Sequence, residues 1–169
     1  MPILANLNKA TATNFELVFP LLPVTSTLNE IKPLSINIFG TVIPSLSLDE
    51  TEQRWQGAKM YMHSGLLNYD TWNISFVVDS KLSNWILLQK WVIFINNNKD
   101  IPSRKPTDYM IDASLNITDN FTTQVATINF KNTWIQSLGE VTLNQRDGES
   151  ILESNATLRY DRFEITEIT

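Results

Sequence analysis

The sequence predicts a mainly β protein: a β-barrel or sandwich of two packed antiparallel sheets, with one α-helix at about residues 82–95 and a long extended loop or hairpin at about residues 48–67. Three observations predict it. Short runs along most of the chain alternate polar and apolar residues, as half-buried strands do. Proline, glycine and Asn/Asp clusters punctuate those runs where a chain must turn. One segment alone, LSNWILLQKWVIFI, has the length and apolar density of a helix. With 169 residues, 43% of them hydrophobic and 18% charged, the chain has the material for a single packed domain spanning residues 1–169.

The elements follow in order. Asn14 to Phe19 alternates and stops at Pro20 and Pro23, because proline cannot donate to a ladder. Ser35-Ile36-Asn37-Ile38-Phe39 alternates again and ends at Gly40, and Ile43-Pro44 marks a break. Leu48 to Leu67 is either a long loop or an extended hairpin; it carries Trp55, Met60, Tyr61 and Met62. Aromatic and Met side chains are enriched at protein contacts, so these four are candidate subunit-interface residues, the other reading being that they fold back onto the barrel. Trp72 to Val78 is a further alternating run. The helix starts from a Ser80 cap and stops at Asn96-Asn97-Asn98. From Trp85 to Ile95, nine of eleven residues are apolar, leaving a thin polar stripe through Ser83, Lys90 and Asn97. Such a helix is covered on most sides, either inside a monomer core or partly by a neighbouring subunit. Pro102 and Pro106 bracket a short basic turn with Arg104 and Lys105. Leu115-Asn116-Ile117 and Val125 to Phe130 flank a Thr-Asp-Asn turn, and Val141-Thr142-Leu143 and Ala156 to Tyr160 flank Arg146-Asp147-Gly148-Glu149; both read as hairpins.

The same residues exclude most chemistry. There is no cysteine, which removes disulfides and thiolate metal sites. Glycine occurs at positions 40, 57, 65, 139 and 148, never clustered into a phosphate cradle. The one histidine, His63, cannot build a metal site or a catalytic triad by itself. Asp49, Glu50 and Glu52 read as a solvated acidic run. No catalytic residue, metal ligand or cofactor is expected. A formal net charge of −5 disfavours tight nucleic-acid binding. The N-terminus reads as lacking a leader. The longest apolar run, Trp85 to Ile95, is too short to cross a bilayer and contains Gln89 and Lys90, so a soluble protein without membrane partners is expected.

Four features then occur in one order: Ile43-Pro44 with Trp55-x-Gly57 and Gly65; Tyr69-Asp70-x-Trp72; Phe130-Lys131-x-x-Trp134 followed by Leu138-Gly139-Glu140-Val141-x-Leu143; and Ala156-Thr157-Leu158-Arg159-Tyr160-Asp161-Arg162-Phe163-Glu164. Together, from about Asn14 to Glu164, they resemble the tail tube proteins of contractile-tailed bacteriophages, in particular the T-even-like myovirus tube family. That resemblance implies a virion structural protein with no enzymatic activity. It implies hexameric rings that self-assemble into a hollow tail tube, through which genomic DNA passes at ejection. Implied partners are further copies of the chain, a sheath protein, a baseplate initiator and a tape-measure protein. The implied location is the virion tail, after assembly in the host cytoplasm. On this reading Trp55, Met60, Tyr61 and Met62 dock into a neighbour, while Tyr69, Asp70, Trp72, Trp85, Trp91, Trp134, Gly139 and Tyr160 form the fold motif and core. Alternatives within the fold are a baseplate tube-initiator, a tube terminator, or a type VI or bacteriocin-like tube subunit. Outside it stand a monomeric β-sandwich that binds a ligand, and a small hydrolase.

Overall fold

The computed structural model describes residues 13–24, 32–98, 105–119, 123–144 and 151–167. The strands are β1 (Phe15–Val18), β2 (Ile38–Thr41), β3 (Leu46–Trp55), β4 (Ala58–Tyr69), β5 (Trp72–Val77), β6 (Ile111–Thr118), β7 (Gln124–Leu138), β8 (Glu153–Arg159) and β9 (Arg162–Glu167). Helix α1 spans Lys32–Asn37 and α2 Ser83–Asn98. All pairings are antiparallel. One sheet has the order β1-β6-β7-β9 and the other β2-β5-β8-β7; β3 and β4 form a separate two-stranded ribbon.

β7 belongs to both sheets. Its first half, to Lys131, lies between β6 and β9, and its second half, from Trp134, pairs with β8. The change of sheet falls at Asn132, whose φ of 54° bends the strand. Asp112 Oδ1 accepts the Asn132 backbone N–H at 3.1 Å and Oδ2 accepts Lys131 Nζ at 2.7 Å. Asn132 Nδ2 donates to Asp161 Oδ2 at 2.5 Å, and Asp161 N donates to the Lys131 carbonyl at 3.0 Å. A non-glycine residue in the left-handed region is thus held from β6 and from the bend that joins β8 to β9.

The core lies between the two sheets. In β5 the sequence alternation becomes burial: Trp72, Ile74 and Phe76 point in, while Asn73 is exposed and Ser75 and Val77 half-buried. Trp72 stacks on Phe130 with ring centroids 3.9 Å apart and planes at 10°, joining β5 of one sheet to the first half of β7 in the other. Its Nε1 donates to Thr41 Oγ1 at 2.8 Å, so the indole is buried without an orphan donor. Tyr160 meets Phe130 edge-on at 5.0 Å. Burial, with Asp70 and Tyr69 nearby, pushes the Tyr160 phenol up to about 12, and among the described residues its hydroxyl has no hydrogen-bond partner.

Helix α2 packs on β7, and Asn84, Leu87, Leu88 and Trp91 form its buried stripe. Cover inside a monomer core, one of the two expectations, is not met: Ile86 and Ile93 stand 38% and 47% exposed on the outer face of the single chain. The Ser80 cap is also corrected. Asp79 Oδ1 accepts the N–H groups of Ser83 (2.7 Å) and Lys81 (3.1 Å), because the turn before the helix brings its carboxylate, which reaches one bond further than the Ser80 hydroxyl, under the first free donors. Trp91 Nε1 donates to the Tyr109 carbonyl at 3.0 Å.

One predicted strand, Ser35–Phe39, is present only from Ile38 as part of β2, and another, Val141–Leu143, is absent. Ser35–Asn37 is the end of α1, not strand, because Leu34 is drawn fully into the core and the ladder with β5 begins at Ile38. Val141–Leu143 has no regular structure, because β5 and β7 already occupy both edges of β8, the strand it was to pair with. The Asp147-Gly148 turn, Asn120, Pro102 and Arg104 lie outside the described residues.

Trp72→Ala should lower the unfolding free energy by about 3–5 kcal/mol in denaturant titrations, since it removes the side chain that joins the sheets. Tyr160→Phe should instead leave stability equal to wild type or raise it by up to about 1 kcal/mol, because the hydroxyl it deletes is buried and unpaired. The Asp112 carboxyl is held below its ordinary 3.8, first by the Lys131 hydrogen bond. Its contribution is therefore full above 3.8 and is lost as pH falls through the lower folded value. The pair is solvent-exposed, so acid melts of Asp112→Asn should be flatter than wild type by under about 1 kcal/mol between pH 5 and pH 2.

Candidate functional site

The β3–β4 ribbon follows from its turn. Gln56 and Gly57 both have positive φ, 47° and 83°, so a two-residue turn joins Trp55 to its partner Ala58. This is the turn geometry whose twist matches that of paired strands. Pairing is continuous from Trp55↔Ala58 to Glu50↔His63 and resumes at Leu48↔Leu67. Between those points β4 carries a bulge at Ser64-Gly65-Leu66, with Gly65 at φ 82°. At the root, Asp70 N donates to the Ser45 carbonyl and Ser45 Oγ donates to Asp70 Oδ2, both at 3.2 Å. Tyr69 turns into the barrel, edge-on to Tyr160 at 5.8 Å and to Phe163 at 5.7 Å. Tyr69 and Asp70 therefore anchor the ribbon to the barrel.

Beyond the root the ribbon does not fold back. Every residue from Leu46 to Asn68 is exposed. With 12 residues in β4 the arm reaches roughly 35 Å. Directly paired residues share a face, and the register separates two kinds of face. Trp55/Ala58, Gln53/Met60 and Thr51/Met62 make one face, which is uncharged and carries the large apolar side chains of Trp55, Met60 and Met62 beside Gln53 and Thr51. Arg54/Lys59, Glu52/Tyr61 and Glu50/His63 make the other, which is charged; there Lys59 Nζ lies 3.1 Å and Arg54 Nε 3.9 Å from Glu52. Trp55, Met60 and Met62 are thus brought together, 66%, 49% and 51% exposed, while Tyr61 is turned to the opposite side. Sequence reasoning missed this division because the register, not the composition, assigns the faces.

The other singled-out residues lie on the barrel. Trp72 and Trp91 are fully buried, and Trp85 and Trp134 are partly buried at the rim of the core. Trp85 Nε1 and Ser154 Oγ both donate to the Gly139 carbonyl at 3.1 Å, and Gly139 N donates to the Asn155 carbonyl at 2.7 Å. A Cβ at Gly139 would collide with the Asn155 side chain and lie 2.9 Å from its carbonyl oxygen, so only glycine permits this approach of β7 to β8. The described residues hold no group of three or more His, Asp or Glu that could bind a metal ion, and no described helix is long and apolar enough to cross a membrane.

Sheet β1-β6-β7-β9 ends in two edges: among the described residues β1 pairs with β6 alone and β9 with β7 alone. Across its outer face run the polar row Glu16–Asn116–Thr127–Thr166 and the row Val18–Ser114–Asn129–Glu164, which is polar apart from Val18 at the edge. Ser114 and Asn129 are joined by a 2.8 Å hydrogen bond, and Asn116, Thr127 and Gln124 by a small network.

An arm without a partner and a sheet with two open edges are features of a part, and residues 10–166 match the family model described as phage tail tube protein. The chain belongs to the phage tail tube protein family. Solved structures agree in fold. The tail tube chain is similar to a chain of the anti-feeding prophage baseplate at 12% identity and TM-score 0.69, covering 94% of this chain and 96% of that one. It is similar to a chain of the PVC extracellular contractile injection system sheath/tube terminator at 16% identity and TM-score 0.66, with 94% and 96% covered. A chain of the PVC sheath–tube complex gives 17% identity and TM-score 0.59, with 95% and 93% covered. No curated protein matches the tail tube chain by sequence.

Proposed function

We propose that this chain is the repeating subunit of a contractile phage's tail tube, closing into hexameric rings that stack into a hollow conduit for DNA at ejection. The observation that carries the reading is the ribbon: a rooted arm, exposed along its whole length, with Trp55, Met60 and Met62 on one face. Such a face gains about 25 cal/mol per Å² of apolar surface that a neighbour covers. The open edges support the ring. β1 and β9 run in opposite directions, so β9 of one copy beside β1 of the next continues the antiparallel order. Head-to-tail contacts of this kind close when the rotation closes, and they remove edges that otherwise invite aggregation.

In that ring the outer face of β1-β6-β7-β9 is the lumen wall. Its amides and hydroxyls are uncharged, its cations Lys131 and Arg162 are each paired with a carboxylate, Asp112 and Glu164, and the net charge of −5 per copy repels phosphate within roughly 8 Å at physiological salt. DNA then slides without sticking. The proposed role is structural and not enzymatic. The proposed partners are a sheath, a baseplate initiator and a tape-measure protein, met during assembly in the host cytoplasm and retained in or lost from the virion tail.

A second reading, an initiator or terminator at the end of the tube, is favoured by the fold likeness to chains of a baseplate and of a tube terminator. Electron microscopy of the purified protein separates the two, with open-ended stacks expected of a tube subunit and single rings of a terminator. Replacing Trp55 and Met60 together by serine should leave the monomer's melting curve within about 0.5 kcal/mol of wild type and abolish stacks. Wild-type protein that stays a monomer at every concentration would overturn the proposal in favour of a monomeric binding module.

A further inference from the structure

The ribbon tip and one cleft on the barrel are chemically complementary. At the tip, Arg54 and Lys59 pair across the strands beside the Trp55–Ala58 pair that closes the turn. The Arg54 side chain is 81% exposed, and Glu52 is the only acidic partner of these two cations among the described residues. The tip thus presents an indole on one face and surplus positive charge on the other, so that both reach whatever encloses it.

On the barrel, a cleft of about 230 Å³ is lined by Phe39, Ser75, Glu140, Glu153, Ser154 and Asn155. It sits where β2, β5, β8 and the segment after β7 meet, beside the close approach of Gly139 to Asn155. Phe39 is 51% exposed there. Among the described residues no Lys or Arg pairs with Glu140 or Glu153. The volume lies below the roughly 300–1,000 Å³ of small-molecule sites, which suits one or two inserted side chains.

We propose that this cleft receives the ribbon tip of a second copy of the chain, with Trp55 against Phe39 and with Arg54 and Lys59 facing Glu140 and Glu153. The ribbon's own barrel is not the acceptor, since the arm is exposed from Leu46 to Asn68. Every copy carries both halves of the contact, so it repeats from subunit to subunit and does not close on a pair. The charges select the register while the aromatic contact supplies the burial. The inference rests on the tube reading and names the acceptor that reading lacks.

Charge reversal tests it. Arg54→Glu with Lys59→Glu, and separately Glu140→Lys with Glu153→Lys, should each raise the concentration for half-assembly at least roughly tenfold in sedimentation, and the four changes combined should restore it. One-sided reversals that assemble like wild type would overturn the docking and leave the tube reading standing. Wild-type protein that never assembles would overturn both. Independently of charge, Gln56→Cys and Ser75→Cys variants, mixed and assembled, carry the only thiols present. A short bismaleimide should join them into a heterodimer. Assembly without that product would overturn the docking.

Discussion

One strand has to serve two sheets. β7 runs through both because Asn132 accepts a left-handed backbone, and that bend is tied to β6 by Asp112 and to the start of β9 by Asp161. The rest of the barrel depends on it. The bend sets the second half of β7 against β8 and the first half between β6 and β9, leaving β1 and β9 as the edges of one sheet. It also sets Phe130 on the inner face just before the turn, where Trp72 of the opposite sheet can stack on it. A backbone constraint at one asparagine thereby bears on both the core and the two strands left as sheet edges.

The ribbon grows from the same core. Tyr69 packs against Tyr160 and Phe163 while the next residue, Asp70, clamps Ser45, so the arm leaves the barrel at a defined root. Beyond that root nothing but its own ladder supports it, and two-stranded hairpins are marginal in water. Exposed ion pairs such as Lys59–Glu52 add little. The apolar face of Trp55, Met60 and Met62 is therefore the arm's main unused source of stability. On the proposed tube reading, that stability is what a neighbouring subunit would supply.

Much of this was legible in the sequence where burial and alternation coincide. β5 reads Trp-Asn-Ile-Ser-Phe-Val and buries every second residue, and the helix pattern gives α2 within a few residues. Legibility fails where a tertiary contact outweighs the local pattern. Ser35–Asn37 alternates for too few residues to hold a strand once Leu34 is buried, and Val141–Leu143 finds no vacant edge on β8. The cap moved from Ser80 to Asp79 because loop geometry decides which oxygen reaches the free donors. For the site, the residue types at positions 55, 60, 61 and 62 marked a contact surface. Their division into two faces needed the register, and the bulge at Ser64-Gly65-Leu66 that interrupts that register has no hydrophobic signature.

The central claim is that the ribbon is completed by assembly. Hydrogen exchange measured on the free subunit and on assembled particles addresses it directly. Amides of residues 46–69 should exchange rapidly in the free subunit and slow by at least roughly tenfold on assembly, while β5 and β8 stay protected in both. Equal protection of the ribbon in the two states would contradict the account.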